Sequence, residues 1–284
     1  MDAAVHASLR AALASGGPVL VVTGAGISAE SGVPTFRGPE GYWTVGSRNY
    51  QPEELATSAA FARMPREIWR WYLWRRSVCR AAVPNAGHLA LGELAGALGS
   101  RFTLVTQNVD GLHLRAGSPL ASTLQIHGNI DFMRCARRCC TTLTKIPEAV
   151  PASSREQPLG DAELDALCCP RCGGPARPHV LWFDECYDEE LFAADSAMRA
   201  AASAELLVVV GTAGATNLPQ QIARYVARRG RLLVDVNPES NPFAELARVS
   251  DGHALRGRAS ELLPQLCAAI AAAVAGERPV DLVR

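Results

Sequence analysis

VLVVTGAGISAESGVPTFRG, Val19 to Gly38, opens with an apolar run held between two glycine-rich turns. Val19 to Val22 follows Gly16-Gly17-Pro18 and precedes Gly24-Ala25-Gly26, the pattern of a short buried parallel strand that feeds a glycine turn. Glycines at 24 and 26 permit main-chain angles closed to other residues. They also let a pyrophosphate approach the N–H groups that the following helical turn would aim at it. An ordinary dinucleotide-binding βαβ unit continues through a full helix to a second strand and an acidic residue about 20 positions on. Here Gly32 and Pro34 stop any helix within about two turns. Thr35-Phe36-Arg37-Gly38 then places an aromatic ring and a cation in a loop. The expectation is a protein that holds a dinucleotide by a different device from that of the hydride-transferring enzymes.

With 284 residues the chain can bury a substantial core, as one large domain or as a large domain with a smaller insertion. Hydrophobic residues make up 48% and charged residues 20%, the balance of a soluble globular protein. Lys+Arg and Asp+Glu are equal at 28 each, which argues against nucleic acid and against a membrane surface as partners. The start, MDAAVHASLRAALASG, carries an acid at once and lacks the cationic head and continuous apolar core of a secretory signal, so it reads as an amphipathic helix. Cys267 to Ala275 falls far short of the about 20 residues a membrane span needs. A cytoplasmic protein is expected. In that compartment its nine cysteines serve as metal ligands, catalytic groups or small buried residues rather than disulfides.

Pro52 to Val83 reads as two helical segments, the second starting at Pro65 and ending before Pro84. Tyr72 and Arg75 share a face of that helix, and spacing alone makes Tyr72 a core residue beside Ile68 and Arg75 a solvated charge. Asn85 caps a helix through Leu98, and Arg101 to Thr106 is the next buried strand. Gln107, Asn108, Val109 and Asp110 follow at its carboxyl end, where ligands of open α/β sheets sit, although Asn108 and Asp110 can also cap the next helix. Ser122 to Ile126 forms a strand ending on His127-Gly128, and an imidazole with an ordinary pKa near ~6.5 suits a general base.

Six of the nine cysteines lie between Cys135 and Cys172. Cys135 precedes Cys139 and Cys140, and Cys169-Pro170-Arg171-Cys172 supplies a Cys-x-x-Cys pair with Gly173-Gly174 behind it. Two such pairs make a tetrahedral structural zinc site of Cys135, Cys139, Cys169 and Cys172, with Cys140 an alternative to Cys139 and Cys168 a weaker one to Cys169. Pro147 to Asp161 reads as an exposed loop. Arg177 to Asp184 is extended and aromatic, and Asp188 to Ala202 is helical. Leu206 to Val210 is a central strand running into Gly211-Thr212-Ala213-Gly214, and Arg231 to Val236 is another, ending on Asn237. Gly257-Arg258-Ala259 opens the last helix. The expected architecture is α/β: a doubly wound, mainly parallel, Rossmann-like sheet with a smaller zinc-binding and helical module inserted. Residues 1–38, 84–128 and 181–284 would form the Rossmann-like dinucleotide-binding domain, and 39–83 with 129–180 the small domain.

Taken together, GAGIS and SGVPTFRG at Gly24 to Gly38, TQNVDGLH at Thr106 to His113, His127-Gly128, the paired cysteines, RPHVLWF at Arg177 to Phe183, Gly211-Thr212 and Asn237 closely resemble the sirtuin family over nearly the whole chain. Its members are NAD-dependent protein lysine deacylases. The resemblance implies that Gly24, Ala25, Gly26, Ile27, Phe36, Arg37, Gln107, Asn108 and Asp110 contact NAD, with Asp110 near the nicotinamide carboxamide and Phe36 shielding the reacting carbon from water. It places Gly211, Thr212, Asn237 and Arg258 toward the diphosphate and adenosine, and makes His127 the catalytic base. In the implied reaction the acyl oxygen of a modified lysine displaces nicotinamide, His127 deprotonates a ribose hydroxyl, and water completes transfer to ADP-ribose. The substrate peptide would pair as an extra strand between the segments after Val180 and after Gly214, against Trp182 and Phe183.

Within the family, Tyr-x-x-Arg at 72 and 75 resembles the subgroup that removes succinyl, malonyl or glutaryl groups. Arginine suits bidentate carboxylate recognition, and a tyrosine hydroxyl adds a donor. Three features depart from the family pattern: Asp184 in place of glycine, Ala213 in place of serine, and one extra residue between Gly211 and Pro219. An ADP-ribosyltransferase or NAD hydrolase, and a non-catalytic NAD-sensing, peptide-binding module, are the alternative readings.

Overall fold

The computed structural model describes residues 1–35, 52–150 and 158–276. Phe36 and Arg37, expected at the nicotinamide end, lie outside the described residues. The strands are β1 Val19–Thr23, β2 Phe102–Thr106, β3 Thr123–Gln125, β4 Gly128–Cys135, β5 Thr144–Lys145, β6 Ala176–Val180, β7 Leu206–Val210, β8 Leu232–Asn237 and β9 His253–Arg256. Six of them form one sheet in the order β3-β2-β1-β7-β8-β9, parallel throughout. The doubly wound, mainly parallel sheet is therefore present. β5, β4 and β6 make a separate antiparallel sheet.

The central strands read as unbroken apolar runs because each face of the sheet is covered. Val19, Val21, Leu104, Val208 and Val210 pack on one side with Leu94, Leu98, Leu263 and Ile270 of helices Ala86–Leu98 and Ala259–Ala275. Leu20, Val22, Val105, Leu207 and Val209 point the other way, onto Ala197, Ala201, Leu218, Ile222 and Val226. A third core joins Leu55, Phe61, Ile68, Trp69, Tyr72 and Leu73 to Ile130, Met133, Leu167 and Trp182, so helices Pro52–Leu55, Ser58–Arg63 and Pro65–Ala81 and the antiparallel sheet share one interior. Each aliphatic side chain buried in these layers contributes roughly 1.5–3 kcal/mol relative to leaving it in water.

Three expectations need correction. Pro52 to Val83 holds three helices rather than two, because the Thr57 side chain caps a separate turn by accepting from the Ala60 N–H. The helix expected over Asp188 to Ala202 is broken at Ala193, which takes a left-handed conformation between Glu189–Phe192 and Ala194–Ser203. Pro147 to Asp161 is not simply an exposed loop, since Val150 and Leu159 at its described ends are buried in the third core. No helix of the described residues is long and apolar enough to cross a membrane.

Candidate active site

The strand order reverses direction between β1 and β7, with β2 on one side of β1 and β7 on the other. Ligands of open parallel sheets bind at such a point, outside the carboxyl ends of the strands. The turns after β1 and β7 meet there main chain to main chain. The Gly26 N–H donates to the Gly211 carbonyl at 2.7 Å. A Cβ on Gly26 would lie 2.7 Å from the Gly211 oxygen, and one on Gly24 would lie 2.6 Å from the Thr212 Cβ. Gly211, at φ +59°, would put a Cβ 2.5 Å from the Ile27 nitrogen. These glycines are thus required first by loop-to-loop contact, a constraint that the phosphate argument from sequence did not contain.

Side chains extend the seam. Gln107 Nε2 donates to Thr212 Oγ1 at 3.0 Å and to the Thr23 carbonyl at 3.2 Å, and Gln107 Oε1 accepts from Thr216 Oγ1 at 2.8 Å. Asn237 Nδ2 donates to the Thr212 carbonyl at 3.2 Å. The ends of β1, β2, β7 and β8 are therefore laced together. Ala25 is half-buried on this edge, whereas the Ile27 side chain lies fully in the core, so only its main chain can face a ligand. Arg258 is exposed and begins the helix Ala259–Ala275.

Behind the seam is a buried polar group set. Ser28 Oγ donates to Asp110 Oδ2 at 2.7 Å, while Asn108 Nδ2 donates to Ser28 Oγ at 3.1 Å and to the Gly24 carbonyl at 3.0 Å. Asp110 Oδ1 accepts the Leu112 N–H at 2.8 Å, so the carboxyl caps the turn that follows as well as facing Ser28. Burial raises the Asp110 pKa, against the hydrogen bonds from Leu112 and Ser28. His88 Nε2 stands 3.4 Å from Ser28 Oγ, and the His88 and His113 rings are 4.9 Å apart. Burial pulls His88 down to about 4 and His113 well below its ordinary value.

His127 sits two residues after the end of β3, where Gly128, at φ +87°, turns the chain into β4. A Cβ on Gly128 would lie 2.1 Å from the His179 carbonyl, so this turn admits only glycine. The imidazole is half-buried, and burial pulls it down to about 4 against a hydrogen bond with the Gln107 main chain. A ring so tuned is neutral at pH 7 and can accept a proton. Its Nε2 lies 2.7 Å from the Tyr187 hydroxyl.

On the helix Pro65–Ala81, Tyr72 is 1% exposed and its hydroxyl accepts from Trp182 Nε1 at 2.8 Å. Arg75 is 3% exposed, with its guanidinium 4.7 Å from the Trp71 ring and 5.3 Å from the Tyr72 ring. The solvated charge expected from helical spacing is overturned, because the cation lies inside an aromatic wall. Val180 and Trp182 are buried in the same core, whereas Phe183 is 62% exposed and donates its N–H to the Ala56 carbonyl at 3.0 Å. Asp184 accepts from the Ser58 and Ala59 N–H groups at 2.8 and 3.1 Å, tying this segment to the start of helix Ser58–Arg63. The structure thus brings Tyr72, Arg75, Val180 and Trp182 together and leaves Phe183 facing solvent.

The ligand atoms of Cys135, Cys139, Cys169 and Cys172 all lie within 4.8 Å of one another. Cys135 and Cys172 are 3.7 Å apart and Cys139 and Cys169 3.6 Å apart. Four sulfurs about 2.3 Å from a tetrahedral zinc would be about 3.8 Å from each other, so the cluster fits the ion. Cys140 stands just outside, 3.9 Å from Cys169.

A model of the Sir2 family matches residues 24–217. NAD-dependent protein deacylase 2 of Pyrobaculum aerophilum is 44% identical over 256 residues, covering 89% of this chain and 91% of that protein. The chain belongs to the Sir2 family. The crystal structure of a Sir2 homolog–NAD complex matches with a TM-score of 0.76 at 34% identity, covering 96% of this chain and 95% of that one. A Sir2 mutant solved with a p53 peptide and NAD matches with a TM-score of 0.69 at 25% identity, covering 89% of this chain and 94% of that one.

The donor chemistry of this Sir2 member suits NAD: a buried carboxyl and a buried amide stand at the end of β2, and main-chain groups line the seam between the turns. Reasoning from sequence missed three residues of the site. Ser28 and His113 lay inside quoted motifs, so their residue types were visible but not their partners. Tyr187 carried no signal, since nothing in Cys186-Tyr187-Asp188 indicates that the phenol reaches a histidine sixty positions earlier in the chain.

Proposed function

We propose that this Sir2 enzyme is an NAD-dependent protein lysine deacylase that prefers acyl groups ending in a carboxylate, succinyl and malonyl foremost, over acetyl, and releases nicotinamide and O-acyl-ADP-ribose. The relative from Pyrobaculum aerophilum carries the deacylase name, and a related Sir2 structure contains a peptide together with NAD. The observation that carries the acyl preference is the burial of Arg75 beside the Tyr72 ring. A guanidinium withdrawn from water is costly unless an anion or a π face compensates it, and a carboxylate gives it two parallel N–H···O bonds. An acetyl group offers no such partner.

NAD supplies the ribose that accepts the acyl group and the nicotinamide that leaves. The residues of the chain position and exclude. Asn108 and Asp110, held by Ser28 and the Leu112 N–H, would orient the nicotinamide carboxamide, and Gln107, Thr212 and Asn237 would hold the diphosphate and adenosine side. His127 would take the proton of a ribose hydroxyl at Nε2. Val180 and Phe183 would present main-chain groups to the substrate peptide, and Cys135, Cys139, Cys169 and Cys172 would hold a zinc ion that keeps the antiparallel sheet in place. Such fixed dipoles act without reorganising during the reaction.

Peptides carrying acetyl, malonyl, succinyl or glutaryl lysine, each incubated with NAD, test the reading. Nicotinamide and acyl-ADP-ribose should form together, and faster with the acidic acyl groups. Nicotinamide release that ignores the peptide, with no acyl-ADP-ribose, would overturn it.

A further inference from the structure

The hydroxyl of Tyr187 lies 2.7 Å from His127 Nε2, with the two rings 5.8 Å apart and inclined by 27°. The imidazole also hydrogen-bonds the Gln107 main chain in a sense that favours the charged ring, which makes the ring the donor to that carbonyl. With the Tyr187 O–H as donor, Nε2 is the acceptor and the hydrogen of the neutral ring sits on Nδ1. The Thr216 hydroxyl stands against both the Tyr187 oxygen and, at 2.8 Å, Gln107 Oε1, and its single proton serves one of the two at a time. His127, Tyr187, Thr216 and Gln107 thus lie side by side as one polar cluster.

The placement of Tyr187 is not accidental drift of a loop. Glu185, two residues before it, accepts from Arg177, Arg134 and the Trp182 N–H, and Asp188 after it caps the helix Glu189–Phe192 through the Leu191 N–H at 2.7 Å. No charged side chain shifts His127, since Asp184 and Asp188 are turned to the backbone groups they cap. Tyr187 is the titratable group against the ring.

We infer that Tyr187 is a positioning residue for His127: its O–H fixes the imidazole as the Nδ1–H tautomer with the lone pair at Nε2, and it gives up that site to the ribose hydroxyl when the dinucleotide binds. This rests on the deacylase reading for the identity of the incoming hydroxyl. In the step it serves, the ribose O–H bond breaks, its electron pair stays on the oxygen, and the proton forms the Nε2–H bond of an imidazolium. Because Tyr187 donates to the neutral ring, it opposes protonation until it is displaced.

The test is Tyr187→Phe, read by NMR of the His127 ring nitrogens across a pH titration and by the acid limb of kcat/KM. Loss of the donor should raise both the ring titration and the acid limb by about one pH unit and admit the Nε2–H tautomer. Unchanged titration and tautomer in a variant with the wild-type Tm would overturn the assignment. An Nε2–H tautomer in the wild-type protein would overturn it without any variant. Absence of deacylation by the wild-type enzyme would count against the deacylase reading instead, and leaves the NMR result to stand or fall alone.

Discussion

His127 is half-buried and Arg75 fully buried, and the loss of water has opposite consequences for them. An imidazole can shed its proton, so desolvation leaves His127 neutral, with its pKa pulled down to about 4 and its free nitrogen held by a phenol. A guanidinium in a protein keeps its charge, so the interior around Arg75 must accommodate a cation, and it does so with the faces of Trp71 and Tyr72. Burial thus leaves the imidazole uncharged and keeps the guanidinium as a cation inside the fold, the conditions on which their proposed roles as base and carboxylate contact rest.

The largest effect should come from His127→Ala. Removal of a general base typically costs about 10²–10⁴ in rate, and here the loss should be equal for succinyl and acetyl peptides, because both use the same ribose step. A loss confined to one acyl type would break the contrast. Arg75→Met should act selectively. Truncating one partner of a buried charge pair costs about 2 kcal/mol or more, so desuccinylation should fall by about 30-fold or more while deacetylation changes far less. Parallel losses in the two activities would remove the carboxylate role from Arg75.

A smaller effect sharpens the same contrast through pH. His88 and His179 are drawn down to about 4 by burial, and His113 lies well below its ordinary value. These rings are neutral when folded and protonate near ~6.5 when unfolded, so unfolding takes up protons below that pH and stability falls as pH drops from about 6.5 toward 4. Thermal melts at pH 7 and pH 5 should show a loss of roughly 10 °C in Tm. A flat response would mean that the buried histidines carry their protons in the folded state.

Much of the fold was legible because its signals are local. The apolar run of β1, the proline and glycine that end the helix after Gly26, the cap at Asn85 and the paired cysteines are each written within a few consecutive residues. The short helix Gly26–Ala29 shows why this works: its length is decided where it ends. The third core was less legible. Val150 and Leu159 flank a polar stretch, and their burial comes from packing against helices far away in the chain.

The sequence by itself determined the alternation of parallel strands and helices, the positions of polar residues at strand ends, and the cysteine set. Periodicity and turn chemistry act over a few residues, so they can be read there. Only the tertiary structure decided that Gly24 and Gly26 press against Gly211, that Arg75 lies among aromatic rings rather than in water, and that Tyr187 holds His127. Each of these is a contact whose energy depends on what the rest of the fold brings alongside and on how far it excludes water.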